Sequence, residues 1–186
     1  GLGGTEQDWD AGRLLPVIRR LQPGIIINNR CGLPADHDTP EQRVGGFMRD
    51  RDWETCMTIC RQWAWKPDDT MKSRKQCIQT LLGVVGGDGN LLFNVGPMPD
   101  GRIEERQVER LKEMGQWLAR YGDGVYGTRG GPFKPGKWGA STCKENRVYL
   151  YVMNWPKEGP LELPAVEKKI TSARLLSGGT LDFQES

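Results

Sequence analysis

The sequence lacks the features of several protein classes. It has no apolar run near the ~18 residues of a membrane-spanning helix, no signal-peptide pattern at its start and no Asn-x-Ser/Thr sequon. An excess of one charge is also missing, because 26 basic residues are balanced by 24 acidic ones that alternate with them. A nucleic-acid-binding protein needs a clustered basic face. We therefore expect neither a nucleic-acid nor a membrane partner.

Histidine is scarce and the cysteines are irregularly spaced. His37 is the only histidine, and the five cysteines form no pair of CxxC motifs. These residues cannot complete a zinc site, and we predict neither a metal nor an organic cofactor. We expect the cysteines to be mostly buried, reduced thiols, which is more typical of a non-oxidising compartment and leaves the localisation open.

The residues that are present suit a folded α/β protein. Apolar residues make up 37% of the chain, and glycine is in excess, at 25 of 186 residues or about 13% against a usual ~7%. Tight turns and loops must therefore be frequent. Helical spacing predicts helices over 12–21, 71–85 and 103–121, and short apolar runs predict buried strands over 25–28, 53–59 and 90–97. Alternating strands and helices predict part of a (β/α)8 barrel, in which chemistry occurs on loops after the strand ends.

The character of the chain changes near residue 127. A Gly, Pro and Lys-rich linker is followed only by strand patterns, over 147–155, 161–166 and 172–176. We therefore divide the chain into an α/β part, residues 1–126, and a β part, residues 127–186. Residues 31–52 lack periodicity, and a loop of that length inside a compact domain is usually functional.

Charged residues near this loop are candidates for chemistry. Arg30 follows the predicted strand 25–28, and its planar set of donors suits sugar hydroxyls or a carboxylate, although an ion pair with a nearby Asp is the alternative. Glycoside hydrolysis requires two carboxyl groups beside the scissile bond. Glu41 in the loop is one candidate, unless it is simply solvated, and Glu54 is either a second carboxylate or an arginine partner. His37 is a base or a bystander.

Three tryptophans lie within thirteen residues: Trp53, Trp63 and Trp65. Sugar rings present apolar C–H faces, to which aromatic planes are complementary. The tryptophans therefore suggest a carbohydrate site, and core packing is the alternative for each.

Several motifs together resemble a known family. They are IIINNR (25–30), TPEQ (39–42), WETCMTI (53–59) and the block GGDGNLLFNVGPMPDGRIEERQVERLKEMGQWLARYGDGVYGTR (86–129). The resemblance extends from about residue 12 to residue 130. It is to the second half of the catalytic domain of the α-L-fucosidases, glycoside hydrolase family 29, and the β part resembles the start of that family's β-sandwich.

The resemblance implies a retaining mechanism, in which an Asp attacks the anomeric carbon and a Glu acts as general acid and then as base. It implies that Glu41 is the acid/base, that Arg30 contacts fucose and that Trp63 lines the methyl side of the sugar. The substrate would be a terminal α-L-fucosyl linkage on an oligosaccharide or glycoconjugate. The mechanism needs no cofactor.

The resemblance also implies domains and missing parts. Residues 1–126 would be the C-terminal half of a (β/α)8-like catalytic domain, and residues 127–186 the start of a C-terminal β-sandwich domain. The nucleophilic Asp is expected just before Gly1, and Asp8 and Asp10 are interpreted as loop or N-cap residues. The rest of the barrel would come from a longer chain, another chain or a homo-oligomer. A catalytically inactive sugar-binding or scaffold protein is the alternative function.

Overall fold

The computed structural model describes residues 4–179 and 181–184. Two helices come first, two strands then alternate with two further helices, and three more strands follow. The helices are α1 (Glu6–Trp9), α2 (Ala11–Leu21), α3 (Arg74–Gly86) and α4 (Glu105–Tyr121), and the strands are β1 (Glu54–Thr58), β2 (Asn90–Asn94), β3 (Arg129–Gly130), β4 (Gly139–Lys144) and β5 (Arg147–Val152). Short 3₁₀ turns lie at Asn29–Cys31 and Gly122–Gly124. The three helices predicted from periodicity are confirmed within a few residues.

Strands β1 and β2 are parallel neighbours joined by α3, in register from Glu54 opposite Asn90 to Thr58 opposite Asn94. Their carboxyl ends therefore meet at one edge of the sheet. Helix α3 begins where the sequence provides a capping box, in which the side chains of Ser73 and Gln76 each accept from the other's backbone N–H. The predicted strand–helix–strand unit is confirmed here.

Parallel pairing continues beyond β1 without forming further regular strands. Three isolated β-bridges are also parallel: Asn28 with His37, Asp38 with Trp53, and Glu41 with Cys56. Residues 25–28 and 36–42 are therefore neighbouring irregular segments, and the second of them lies beside β1. The loop predicted over 31–52 contains no regular strand, as expected, but backbone hydrogen bonds attach its residues 38–42 to residues 52–56.

The predicted buried strand over 25–28 was also wrong. Only Asn28 forms a strand-like pairing, and the side chain of Ile26 is 74% exposed. A β-branched run becomes a regular strand only where neighbours pair with its backbone and cover its side chains. This run has a single short pairing on one side, which explains its irregular backbone.

The buried core lies where α3 and α4 cover the carboxyl end of β1. Its buried members are Ile59, Cys60, Cys77 and Met114. At the amino end of β1, Trp53 is only 2% exposed and is enclosed by the backbone at Gly45, Gly87 and Gly89. The absence of side chains at these glycines makes room for the indole ring, so core packing is confirmed for Trp53.

Strands β3, β4 and β5 form an antiparallel sheet in that order. Strand β4 packs on α3, where a Cβ at Gly86 would lie 2.7 Å from the Cβ of Ala140. The strand predicted over 147–155 is confirmed, but no strand follows Val152 among the described residues. The predicted strands 161–166 and 172–176 were therefore wrong: within the described residues these runs hold only a single bridge residue, Arg174, and Leu176 is 48% exposed.

The structure confirms a mixed α/β fold. The division at residue 127, the barrel and the sandwich stay predictions, because the sheets seen here are partial. Within the described ranges, no helix is both long and apolar enough to cross a membrane.

Candidate functional site

The site begins at the 3₁₀ turn that follows the segment 25–28. Asn28 caps this turn, because its side-chain oxygen accepts from the backbone N–H of Arg30 at 3.1 Å. The cap fixes the backbone from which the Arg30 side chain extends. The guanidinium then reaches the neighbouring segment 36–42, where its Nε donates to Thr39 Oγ1 at 2.9 Å.

Arg30 and Glu41 are brought together in an ion pair. The distance from Arg30 Nη1 to Glu41 Oε2 is 2.6 Å, with the two side chains 43% and 36% exposed. The partner of Arg30 is thus Glu41 rather than one of the nearby aspartates. An ion pair this exposed adds little to folding stability, so stability does not account for the pair.

A chain of polar contacts continues away from this pair. Thr39 Oγ1 donates to Asn29 Oδ1 at 2.9 Å, Asn29 Nδ2 donates to Asp38 Oδ1 at 3.1 Å, and Asp38 pairs with Arg51 Nε at 2.8 Å. These residues hold Arg30 in place through Thr39. A shallow cavity of about 440 Å³ opens beside them, lined by Asn29, Gly32, Leu33, Pro34, Asp38 and Arg51.

Glu41 is fixed to β1 by its backbone neighbours. The residue before it, Pro40, accepts from Cys56 N–H at 3.1 Å, and the residue after it, Gln42, donates its N–H to Cys56 O at 2.9 Å. The Cys56 thiol lies in the same charged surroundings, where burial and the Glu41 carboxylate both raise its pKa. The thiol therefore stays protonated at neutral pH.

The three tryptophans have different positions. Trp63 is 39% exposed, and its carbonyl accepts from Asn94 Nδ2 at 2.9 Å, at the carboxyl end of β2. Glu41 pairs with Cys56 in the middle of β1, the strand that neighbours β2. Trp65 donates its Nε1–H to Glu104 at 3.2 Å. Of these three tryptophans, only Trp63 has an exposed side chain.

The other candidate residues have different surroundings. Glu54 begins β1, and its backbone N–H donates to Asp38 O at 2.9 Å. His37 pairs with Asn28 through its backbone, and its buried Nδ1 has no hydrogen-bond partner in the described part of the chain.

Asp10 is the N-cap residue of α2, as predicted, whereas Asp8 is neither a loop nor an N-cap residue but lies inside α1, where it completes a capping box with Thr5. The Asp8 carboxylate accepts from the backbone N–H and the hydroxyl of Thr5 at 2.7 and 2.8 Å, and these bonds lower the pKa of Asp8. Asp10 lies between α1 and α2 and pairs with Arg13 at 3.2 Å. Neither aspartate is seen to contact Arg30 or Glu41.

The cysteines are free thiols, of which Cys60 and Cys77 are buried and Cys31, Cys56 and Cys143 are half-buried. The prediction that most are buried was therefore only partly correct. Across residues 4–179 and 181–184 there is no group of three or more His, Cys, Asp or Glu side chains that could hold a metal ion.

Sequence reasoning missed the residues that position the ion pair. Thr39 contacts Arg30, Asn29 contacts Thr39, and Gln42, the residue after Glu41, bonds to Cys56 of β1. The only available signal was the motif 39–42, where Thr39 and Gln42 flank Pro40 and Glu41. Polar residues on both sides of a candidate acid are worth testing as its supports.

Comparison with known proteins identifies one group of relatives. The pattern of the family described as Alpha-L-fucosidase matches residues 3–123. The alpha-L-fucosidase of Branchiostoma floridae is 33% identical over 190 residues, which cover 91% of this chain and 41% of that protein. The plasma alpha-L-fucosidase of Homo sapiens is 32% identical over 197 residues, covering 95% and 42%. The chain thus spans about two fifths of the length of these curated relatives.

Solved structures give the same result. Alpha-L-fucosidase isoenzyme 1 from Paenibacillus thiaminolyticus superposes with a TM-score of 0.84 at 31% identity, covering 95% of this chain and 46% of that one. The alpha-fucosidase of Thermotoga maritima gives a TM-score of 0.78 at 29% identity, covering 95% and 43%.

Proposed function

This chain belongs to the α-L-fucosidase family, and on that premise we propose that the protein containing it is a retaining α-L-fucosidase that removes terminal α-L-fucosyl groups. Its substrates would be fucosylated oligosaccharides or glycoconjugates. The observation that carries the proposal is the Arg30–Glu41 pair, which lies inside the matched segment and is held by contacts from both sides. The mechanism needs no metal or organic cofactor.

Glu41 has the role of general acid and then of general base. In retaining hydrolysis two carboxyl groups stand about 5–5.5 Å apart across the anomeric carbon, and one of them attacks covalently. Glu41 protonates the leaving oxygen in the first step and deprotonates water in the second. We assign the attacking carboxylate to an Asp outside residues 1–186, since Asp8 and Asp10 are bound to Thr5 and Arg13.

Arg30 has the role of binding the sugar and releasing Glu41. The ion pair holds the Glu41 carboxylate, yet a general acid must carry a proton to the leaving oxygen. A fucose hydroxyl that accepts from the guanidinium competes with Glu41 for it. We propose that substrate binding thereby loosens the pair and frees Glu41 to act, while Thr39 keeps the Nε side of Arg30 in place.

Trp63 supplies the apolar wall of the site. Its backbone carbonyl is bound to Asn94 at the carboxyl end of β2, and its exposed ring would offer a flat surface to the methyl side of fucose. The neighbouring core tryptophan, Trp53, has no exposed face for such a contact.

The proposed architecture is a (β/α)8 barrel with a C-terminal β-sandwich, divided at residue 127. The run of parallel segments formed by 25–28, 36–42, β1 and β2 supports one side of such a barrel. The antiparallel sheet of β3, β4 and β5 supports the start of a sandwich. The rest of both units would come from outside residues 1–186, whether from the same chain or a second copy.

The test uses the full-length protein and two α-L-fucosides that differ in leaving group, 4-nitrophenol and methanol. Glu41→Ala should lose about 10²–10⁴-fold in kcat/KM on the methyl fucoside, because the poor leaving group needs the proton. The loss on the 4-nitrophenyl fucoside should be much smaller, and azide should restore part of the turnover by replacing water. Glu145→Ala, in the exposed β4–β5 turn, is the control.

Two outcomes would contradict the proposal. Equal losses on both substrates would remove Glu41 from the acid/base role and make Glu54 the next carboxylate to test. A wild-type protein that binds fucose and cleaves neither fucoside would instead be a sugar-binding protein.

A further inference from the structure

We propose that Gln42 is a positioning residue, which anchors the backbone beside Glu41 to strand β1 and so aims the Glu41 carboxylate at the reaction centre. The inference rests on the proposed acid/base role of Glu41 and extends it to a residue that touches neither substrate nor Arg30. Three observations carry it: the backbone conformation of Gln42, its side-chain contacts and the contacts of its neighbours.

Gln42 has a left-handed backbone, with φ of +53°. Side chains other than glycine adopt this conformation rarely, because their Cβ crowds the backbone. Such a conformation persists only where surrounding contacts hold it, and residues of this kind cluster at functional sites. The contacts that hold Gln42 are therefore informative.

The Gln42 side chain is bound to the last residue of β1. Its Nε2 donates to Thr58 Oγ1 at 3.1 Å, and its Oε1 accepts from the backbone N–H of Thr58 at 3.4 Å. Together with the backbone bond from Gln42 N–H to Cys56 O, these contacts hold both ends of the residue. Gln42 is thus attached to β1 at two positions two residues apart.

Thr58 is itself a rigid support. Its side chain is buried, it pairs with Asn94 of β2, and its carbonyl accepts from Lys72 Nζ. Buried and paired residues of this kind move little, because the packed interior leaves few alternative positions. The anchor of Gln42 therefore lies in the sheet and not in the flexible part of the chain.

The residues flanking Glu41 complete the attachment. Pro40 O accepts from Cys56 N–H on one side, and on the other Arg43 O accepts from the buried Thr55 hydroxyl at 2.6 Å. Side chains alternate in extended chain, so a slip by one residue would put the Gln42 side chain where the Glu41 side chain belongs. The Gln42–Thr58 contact opposes this slip, since a shift by one residue would break the hydrogen bonds that the Gln42 amide makes with the Thr58 hydroxyl and backbone N–H.

The experiment uses the full-length protein with Gln42→Gly, which keeps the left-handed backbone free of strain and removes only the side chain. Glu145→Gly is the matched control, because Glu145 has the same left-handed backbone, φ +55°, at the turn between β4 and β5. Thr58→Val, which removes the hydroxyl at similar volume, tests the anchor from the other side. Each variant is assayed on the methyl and the 4-nitrophenyl fucosides, alone and combined with Glu41→Ala.

We expect Gln42→Gly to lose about 10- to 100-fold in kcat/KM on the methyl fucoside, since an ångström of misplacement of a catalytic group costs about that much. The loss on the 4-nitrophenyl fucoside should be several-fold smaller, and Thr58→Val should act in the same direction. In the Glu41→Ala background, Gln42→Gly should cause no further loss of kcat/KM. Glu145→Gly should match the wild type.

A loss that is equal on both substrates, or that adds fully to that of Glu41→Ala, would show a general structural role and overturn the inference. A crystal structure of Gln42→Gly supplies a readout independent of turnover. The inference requires the Arg30–Glu41 pair, 2.6 Å in the wild type, to open or to shift, and an unchanged pair would refute it. Absence of fucoside turnover by the wild type would refute the proposed function, and the crystal structure would still decide the role of Gln42.

Discussion

The contact between Asp88 and Arg129 offers a sharp test of how the α/β part is fixed to the β part. Asp88 follows α3 in a left-handed turn, and its side chain is only 5% exposed. Its two carboxylate oxygens each accept from Arg129 Nε at 2.9 Å, and Arg129 Nη2 and the backbone N–H of Gly130 also donate to it. Arg129 also donates to the carbonyl of Arg49 at 3.0 Å, so one side chain joins three segments.

Arg129→Met is the perturbation, because methionine keeps the length of the side chain without its donors. Breaking a buried ion pair at one partner costs about 3–5 kcal/mol. Arg129 is 55% exposed, so water can replace part of the lost contact. Gly130 N–H also remains bound to Asp88. We therefore expect a loss of about 1–3 kcal/mol in the free energy of unfolding.

The assay is thermal unfolding of the full-length protein, followed at pH 7 and in steps down to pH 3. Each kcal/mol lowers Tm by about 2–4 °C in a domain of this size, so the shift should be about 2–12 °C. The double variant Asp88→Ala, Arg129→Met should be less destabilised than Arg129→Met alone. Removing both partners leaves no buried charge without a counter-ion.

The pH dependence follows from the pKa of Asp88. Burial acts to raise this pKa, but hydrogen bonds from Arg129 and Gly130 outweigh burial and hold the pKa below its ordinary 3.8. A carboxyl group whose pKa is lowered by folding stabilises the fold at pH values above its unfolded-state pKa. This stabilisation is lost as the pH falls through the folded-state pKa. The difference in Tm between wild type and Arg129→Met should therefore be largest near pH 7 and shrink below about pH 4. Equal Tm values at pH 7, or a difference constant down to pH 3, would refute this reasoning.

Two further predictions concern the core and the completeness of the site. Gly89→Ala should destabilise the protein by about 1–3 kcal/mol in urea unfolding, because a Cβ at this position overlaps the Trp53 ring. Gly115→Ala in α4 should be neutral or stabilising, because a Cβ there meets no other atom. Equal stabilities for these two variants would contradict the packing argument. Residues 1–186 expressed alone should release no 4-nitrophenol from 4-nitrophenyl α-L-fucoside, because Asp8 and Asp10 are held at helix ends. Turnover by this segment, or labelling of either aspartate by a 2-fluoro-fucosyl fluoride, would place the nucleophile within it.

The sequence by itself determined the elements whose signals are local. Helix α3 was predictable because an apolar stripe follows the capping pair Ser73 and Gln76 and ends at Gly86 and Gly87. Helix α4 and strands β1 and β2 were predictable from their periodicity in the same way. The family motifs also singled out Arg30 and Glu41 before any contact between them was known.

The tertiary structure decided everything that depends on which segments become neighbours. The run over 25–28 has the composition of a buried strand, yet it is left irregular and exposed because too little of the chain pairs with it. Trp53 and Trp63 have similar sequence surroundings, and only glycine backbones brought close by folding make one of them core and leave the other exposed. The attachment of the 36–42 segment to β1, which puts Glu41 against Arg30, was equally invisible in the sequence. Its hydrogen bonds join residues eleven or more positions apart, and local propensity carries no information about pairing over that distance.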